Sequence, residues 1–177
     1  FMALCSTLLR TYATQYPTLP AFAMGLVNER ILSDTRGSMF VTTFYGVLEP
    51  DTGRLRYVNA GHNPPVLVSS QKGKPIDQLR PTGPALGILE NGRWQQKITR
   101  FAPGDLLVLY TDGVTEAQNT EGDFFGAERL LRLARTGHGQ TARQVQETVF
   151  KEVFKFAGAA PMSDDMAVMV ITRQKNA

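Results

Sequence analysis

Three aspartates at the ends of two apolar segments are the residues of this chain best suited to chemistry. Asp112 follows the apolar run 106–110, and Asp164-Asp165 come just before the apolar segment 166–172. If these segments are neighbouring antiparallel strands, the end of the first lies beside the start of the second, and the carboxylates converge. Like charges held that close usually mean a bound cation, and oxygen-only donors favour a hard ion, Mg²⁺ or Mn²⁺.

Each of the two turns also has a simpler interpretation. A lone Asp-Gly pair such as Asp112-Gly113 is most often only a turn. Asp164-Asp165, taken alone, is typical of a solvated turn between a helix and a strand. The pairing of the two turns is what favours a cation site, with Gly113 letting the backbone pass close to whatever Asp112 holds.

Other reactive side chains are few. His62 lies in the loop 61–65, and an imidazole that titrates near neutral pH could act as a general acid there. We favour the alternative in which His62 supports this loop. Cys5 is the only cysteine, which excludes an internal disulfide and a cysteine-rich zinc site. Gly83 and Gly87 are not followed by Gly-Lys-Ser/Thr, so they form no P-loop.

Length and charge exclude further classes of protein. A chain of 177 residues predicts one domain with one sizeable core. Lys plus Arg exceed Asp plus Glu by only 19 − 16 = 3, and the basic residues are scattered, so we expect no nucleic-acid partner. No apolar stretch reaches about 18 residues, so we expect no membrane span. A lone cysteine fits a cytoplasmic location.

The pattern of elements predicts an α+β fold, in which helices, a run of antiparallel strands, more helices and a last strand follow in that order. The predicted helices are 1–15, 20–33 and 127–134, with a last long helix after a capping box of Thr141 and Gln144. The predicted strands are 39–48, 55–60, 66–68, 94–101, 106–110 and 166–172, the last two of them buried. Side chains expected in the core include Leu130, Leu131, Leu133, Met39, Met166 and Met169.

Six segments, in order, carry a resemblance to one family. They are FMALCSTLLRTYA, the strand from Met39 to Gly46, RYVNAGHNPPVLV, PTGPALGI, GDLLVLYTDGVTEA and SDDMAVMVI. Together they resemble the metal-dependent protein phosphatases (the protein phosphatase 2C, or PPM, family), in the bacterial SpoIIE/RsbU-like branch of sporulation and sigma-B regulatory phosphatases. A haloacid dehalogenase-type fold is disfavoured, because Tyr110 stands where its Asp-x-Asp motif needs a second Asp.

The resemblance implies a fold, a reaction and metal ligands. The fold is an αββα sandwich of two antiparallel sheets flanked by helices, and the reaction is hydrolysis of phosphoserine or phosphothreonine by a water activated by two Mn²⁺ or Mg²⁺ ions. Asp112 and Asp164 match ligand positions of the family and are the expected catalytic pair. Gly113 matches the family's turn glycine at the metal, and Asp165 stands where other branches have Asn.

The resemblance also places the loop with Asn59, Gly61 and His62 near the active site, as support for the substrate. The implied substrate is a phosphoprotein of the anti-anti-sigma (STAS) type used in partner switching and stress response. The family's Gly-Asp-Val-Ser-Gly-Lys-Gly turn would precede residue 1. We therefore expect an N-terminally truncated domain that lacks its first strands, binds Mn²⁺ poorly on its own and follows a sensory domain.

Two points stay open. A catalytically degenerate phosphatase-like interaction module in the same pathway is the alternative function. The oligomeric state is undecided, and a homodimer is one alternative.

Overall fold

The computed structural model describes residues 1–71, 73–162 and 164–174. Within them the chain forms helices and two antiparallel sheets, which confirms the predicted α+β class. It divides into two compact units: the first unit is Phe1–His62 with Arg80–Arg100, and the second unit is Asn63–Leu79 with the chain from Phe101 onward. Among the described residues no helix has both the length and the apolar character that crossing a bilayer requires.

In chain order the elements are α1 (Met2–Gln15), α2 (Pro20–Thr35), β1 (Thr43–Glu49), β2 (Arg54–Ala60), β3 (Val66–Val68), β4 (Asp77–Gln78), β5 (Lys97–Arg100), β6 (Leu106–Tyr110), α3 (Asp112–Thr115), α4 (Ala127–Thr136), α5 (Ala142–Ala157) and β7 (Val168–Thr172). The first unit holds a sheet in the order β1-β2-β5, and the second unit holds a sheet in the order β4-β3-β6-β7.

In the first unit, α2 supplies much of the core. It begins at Pro20, whose fixed φ suits a first helical position, and it buries Met24, Val27 and Ile31 at helical spacing. Asn28 is buried among them, at 1% exposure. Its side-chain amide donates to the carbonyl of Leu89 at 2.9 Å and accepts from the N–H of Gly87 at 2.8 Å, so both ends of the amide are used.

Two predicted strands of the first unit are shorter than expected. The strand predicted over 39–48 begins only at Thr43, because Val41 instead exchanges both backbone hydrogen bonds with Leu86 in an isolated bridge. The strand predicted over 94–101 is limited to β5. Trp94 turns inward there, and its indole N–H donates to the carbonyl of Pro84 at 2.8 Å.

In the second unit, α4 and α5 share a core with the sheet. Thr141 and Gln144 form the predicted capping box at the start of α5, with both reciprocal hydrogen bonds present. Helical spacing then places Val145, Val149 and Val153 in the core. The prediction for α4 was only partly right: Leu130 is fully buried, whereas Leu131 and Leu133 are partly buried and pack against the cluster.

The last strand is less buried than predicted. β7 begins at Val168, which is buried, but Met169 is 60% exposed because β7 is the edge strand of its sheet. Met39 is also 45% exposed, so the expectation that these two methionines fill the core was wrong. Met166 does pack against the core of the second unit.

Candidate functional site

The Asp112 turn forms where β6 ends and α3 begins. Tyr110 is the last residue of β6 and is buried, so the strand holds the turn in place. Thr111 is extended at the N-cap, and Asp112 is the first helical residue. The Asp112 carboxylate is exposed, and its Oδ1 accepts from the N–H of Gly113 at 3.1 Å.

The second turn lies beside the first, as the sequence predicts. β6 and β7 are antiparallel neighbours, with Tyr110 opposite Val168. The residues that precede β7 therefore meet the residues that follow β6. Asp164 and Asp165 are exposed, and the Asp164 Oδ1 accepts from the N–H of Asp165 at 2.7 Å. Ser163, which belongs to the predicted turn, lies outside the described residues.

Gly113 marks the point of closest approach between the turns. A β-carbon at this position would lie 2.6 Å from the carbonyl oxygen of Asp165 and 3.3 Å from that of Asp164. The 2.6 Å distance is shorter than a real β-carbon contact, so the backbones can lie this close only because residue 113 is glycine. The expected close backbone approach at Gly113 is present, and its partner is the Asp164-Asp165 turn.

Thr111 joins the two turns by hydrogen bonds. Its hydroxyl donates to the carbonyl of Asp165 at 3.1 Å and accepts from the N–H of Ala167 at 2.9 Å. Its own N–H donates to the carbonyl of Ala167 at 3.1 Å. The sequence analysis did not single out Thr111. The available signal was a hydroxyl residue at a strand end, directly before a candidate ligand.

The donors of this site fit a hard divalent cation in type, but the described residues do not complete its coordination. Asp112, Asp164 and Asp165 offer oxygen atoms only, which suits Mg²⁺ or Mn²⁺. Within 1–71, 73–162 and 164–174, no group of three or more His, Cys, Asp or Glu side chains is placed so as to hold a metal ion. The described residues therefore bring together no complete set of metal ligands.

Two polar side chains at the ends of β6, those of Tyr110 and Asp105, are buried. Desolvation raises the pKa of the Tyr110 hydroxyl above its ordinary value. At the opposite end of β6, the carboxylate of Asp105 is only 3% exposed. It accepts from the N–H of Ser70 at 2.7 Å and from the N–H of Ala102 at 2.8 Å, so it holds the entry to the strand. Asp105 was also missed by the sequence analysis.

Asn59, Gly61 and His62, at the end of β2 and the start of the loop after it, belong to the first unit, whereas the three aspartates belong to the second. Asn59 is fully buried, and its side-chain oxygen accepts from the N–H of His62 at 2.8 Å. The His62 Nδ1 lies 3.2 Å from the hydroxyl of Thr42. Gly61 has φ of 70°, and a β-carbon there would lie 3.0 Å from the N of Ala85. These contacts are what a supported, rigid loop requires.

Comparison with known proteins places the chain in context. The family model for stage II sporulation protein E (SpoIIE) matches residues 1–174. Phosphoserine phosphatase RsbU of Bacillus subtilis is 27% identical over 175 residues, which is 97% of this chain and 51% of RsbU. Protein IcfG of Synechocystis sp. is 31% identical over 152 residues, which is 85% of this chain and 24% of IcfG. The chain thus spans about half, or less, of the length of these relatives.

The fold has counterparts among solved structures. The SiaA-PP2C domain of Pseudomonas aeruginosa superimposes with a TM-score of 0.82 at 18% sequence identity, over 96% of this chain and 68% of that domain's chain. At this identity the likeness shows the fold, which is of the protein phosphatase 2C type.

Proposed function

The chain belongs to the stage II sporulation protein E (SpoIIE) family, and on that basis we propose that it is a metal-dependent protein phosphatase that hydrolyses phosphoserine or phosphothreonine. The observation that carries this proposal is the contact between the Asp112-Gly113 turn and the Asp164-Asp165 turn. This contact joins the backbones of two turns that carry exposed aspartates, at the end of a buried strand, where a phosphoryl-transfer site that depends on cations would need oxygen donors.

Each residue of the site has a proposed part in the reaction. Asp112 and Asp164 would hold Mn²⁺ or Mg²⁺, with Asp165 as a further oxygen donor. Bound divalent ions would supply an acidic water and would neutralise charge on the phosphoryl group. Gly113 keeps side chains out of the space between the turns. Thr111 fixes the distance between the turns through its hydroxyl.

We further propose that the substrate is a phosphoprotein of the anti-anti-sigma (STAS) type, in the cytoplasm, and that the chain forms one phosphatase domain under the control of a sensory domain. Support comes from the family and from RsbU, a relative named as a phosphoserine phosphatase. In this proposal His62, Asn59 and Gly61 support the substrate-binding loop, since their contacts make that loop rigid.

The test is phosphate release from a phosphoserine peptide, and p-nitrophenyl phosphate hydrolysis, with Mn²⁺ or Mg²⁺. The protein should be the natural polypeptide that contains residues 1–177. Asp112→Asn should lower kcat by at least about a hundredfold, since a lost metal ligand removes the electrostatic stabilisation of the transition state. Asp77→Asn is the matched control, because Asp77 is an exposed carboxylate in β4. Equal activity of both variants and the parent would overturn the proposal.

A degenerate, non-catalytic interaction module is the second candidate. One observation favours it: the described residues present no group of three metal-binding side chains. A folded natural polypeptide that neither releases phosphate nor binds Mn²⁺, yet binds a STAS-type protein, would establish this alternative. Mn²⁺ binding that Asp112→Asn weakens would exclude it.

A further inference from the structure

A groove in the second unit has a basic rim and an apolar floor. It runs between α4 and the loop that leads into β4. It consists of two adjoining cavities of ≈ 590 Å³ and ≈ 300 Å³, which share Pro75, Ile76 and Arg135 as lining residues. Neither the Asp112 turn nor the Asp164-Asp165 turn contributes to its lining, so the groove is separate from the candidate metal site.

The rim carries cations without carboxylate partners. Arg132 and Arg135 lie three residues apart on α4 and therefore on one helix face, and Lys74 lies on the loop side of the groove. All three are exposed, and in the described part of the chain none forms an ion pair. Asp77 is the carboxylate nearest in sequence to Lys74, and it is absent from the described lining, which contains no Asp or Glu.

The apolar part of the lining is here called the floor; Ser69, Ser70, Gln71 and His138 also line the larger cavity. Ile76 and Leu131 are partly buried and pack against the core of the second unit, so each still presents some surface to the groove. Pro75 adds to this surface. By contrast, the third arginine of α4, Arg129, is engaged: it donates to the carbonyls of Phe124 and Phe125 and covers the ring of Phe156. The helix thus uses one arginine for its own fold, while Arg132 and Arg135 form no ion pair with any described residue.

We propose that this groove is a docking site for an acidic, amphipathic segment of a protein partner, in which glutamates or aspartates face Lys74, Arg132 and Arg135 and one or two apolar side chains enter the floor. Charge complementarity determines the sign of the partner, and the floor determines its amphipathic character. The site lies beyond the proposed catalytic function and does not depend on it, because docking requires no turnover.

Two other polyanions fit less well. A lipid bilayer is flat, whereas these cations border a concave groove. Single-stranded nucleic acid is usually held by aromatic stacking beside a long basic track, and the described lining of the groove contains no Phe, Tyr or Trp. An acidic peptide with an apolar anchor uses both the rim and the floor.

The experiment measures fluorescence anisotropy of a short labelled peptide of glutamate, aspartate and leucine with the natural polypeptide. Arg132→Glu combined with Arg135→Glu should weaken binding at least about tenfold. Lys97→Glu combined with Arg100→Glu makes the same change in net charge at exposed positions of the first unit, and should change binding by less than about twofold. Lys74→Glu repeats the test outside α4, in case the double variant unfolds the helix.

Further probes test whether the apolar floor contributes to peptide binding and whether another polyanion binds more tightly. A peptide with every leucine replaced by serine should bind at least about tenfold more weakly, because the floor loses its ligand. No measurable peptide binding, or equal loss in the two double variants, would overturn the proposal. So would tighter binding to oligothymidylate or to phosphatidylserine vesicles than to the peptide, since either result assigns the rim to a nucleic acid or a membrane.

Discussion

Gly113 is in backbone contact with Asp165: a β-carbon on Gly113 would lie 2.6 Å from the Asp165 carbonyl oxygen. The two residues are far apart in sequence and meet because β6 and β7 pair antiparallel. The contact holds the Asp112-Gly113 backbone against that of the Asp164-Asp165 turn, so a change at Gly113 tests the site without altering a carboxylate.

The first prediction concerns Gly113→Ala. The new methyl group must push the Asp165 backbone away, which should destabilise the fold by about 1–3 kcal/mol and weaken Mn²⁺ binding. Thermal unfolding and Mn²⁺ titration measure these effects. Gly25→Ala in α2 is the matched control, because nothing lies within 4 Å of its β-carbon; it should leave stability equal or about 1 kcal/mol higher. Native stability and Mn²⁺ affinity in Gly113→Ala would contradict the contact.

The second prediction concerns Thr111. Thr111→Val keeps the shape but removes the hydroxyl that donates to Asp165 and accepts from Ala167. We expect a loss of about 1–3 kcal/mol in unfolding free energy, because both backbone groups lose a partner. We also expect a lower kcat with little change in KM. Thr111→Ser retains the hydroxyl and should restore most of both quantities. If serine and valine behave alike, the hydroxyl does not hold the turns together.

The third prediction concerns Asp105. Asp105→Ala leaves the N–H groups of Ser70 and Ala102 without their acceptor, in a buried place. Hydrogen bonds to a charged group contribute about 1.5–3 kcal/mol each, so we expect a loss of at least about 2 kcal/mol by urea unfolding. Asp77→Ala removes an exposed carboxylate and should stay within about 0.5 kcal/mol. Equal stability of the two variants would show that Asp105 does not support β6.

The fourth prediction concerns alkaline pH. Burial raises the pKa of Tyr110 and of Tyr45 above 10.0, while in the unfolded chain both titrate near the ordinary value. Between the two pKa values the unfolded state has lost protons that the folded state keeps. Unfolding free energy is therefore unaffected below pH about 10 and falls as pH rises through the folded pKa.

Urea unfolding at a series of pH values measures this slope. Tyr110→Phe should make the fall above pH about 10 shallower, and adding Tyr45→Phe should make it shallower again. An unchanged slope in the double variant would mean that other groups cause the alkaline loss of stability.

Sequence patterns were sufficient where a local signal determined the structure. The capping box of Thr141 and Gln144 needs only residues three apart. The meeting of the Asp112 and Asp164-Asp165 turns also followed from sequence, because two apolar segments with carboxylates at opposite ends need only be antiparallel neighbours. The family resemblance, which rested on six segments that follow one another in the family's order, was confirmed by the match over residues 1–174.

Contacts between distant segments could not be predicted in this way. Trp94 lies outside β5 and its indole N–H donates to the carbonyl of Pro84, a contact with another segment that the residues around Trp94 do not reveal. The side chains of Thr111 and Asp105 bind backbone groups of distant residues. Because almost every residue has such groups, the sequence does not indicate which residue is the partner.

The buried amide of Asn28 has a mechanical consequence. One side chain binds both the Gly87 N–H and the Leu89 carbonyl, so these two hydrogen bonds tie α2 to the segment from 87 to 89. Detaching the helix means breaking both hydrogen bonds together. The exchange rate of the Gly87 amide proton in heavy water therefore reports how often α2 and that segment separate by local opening.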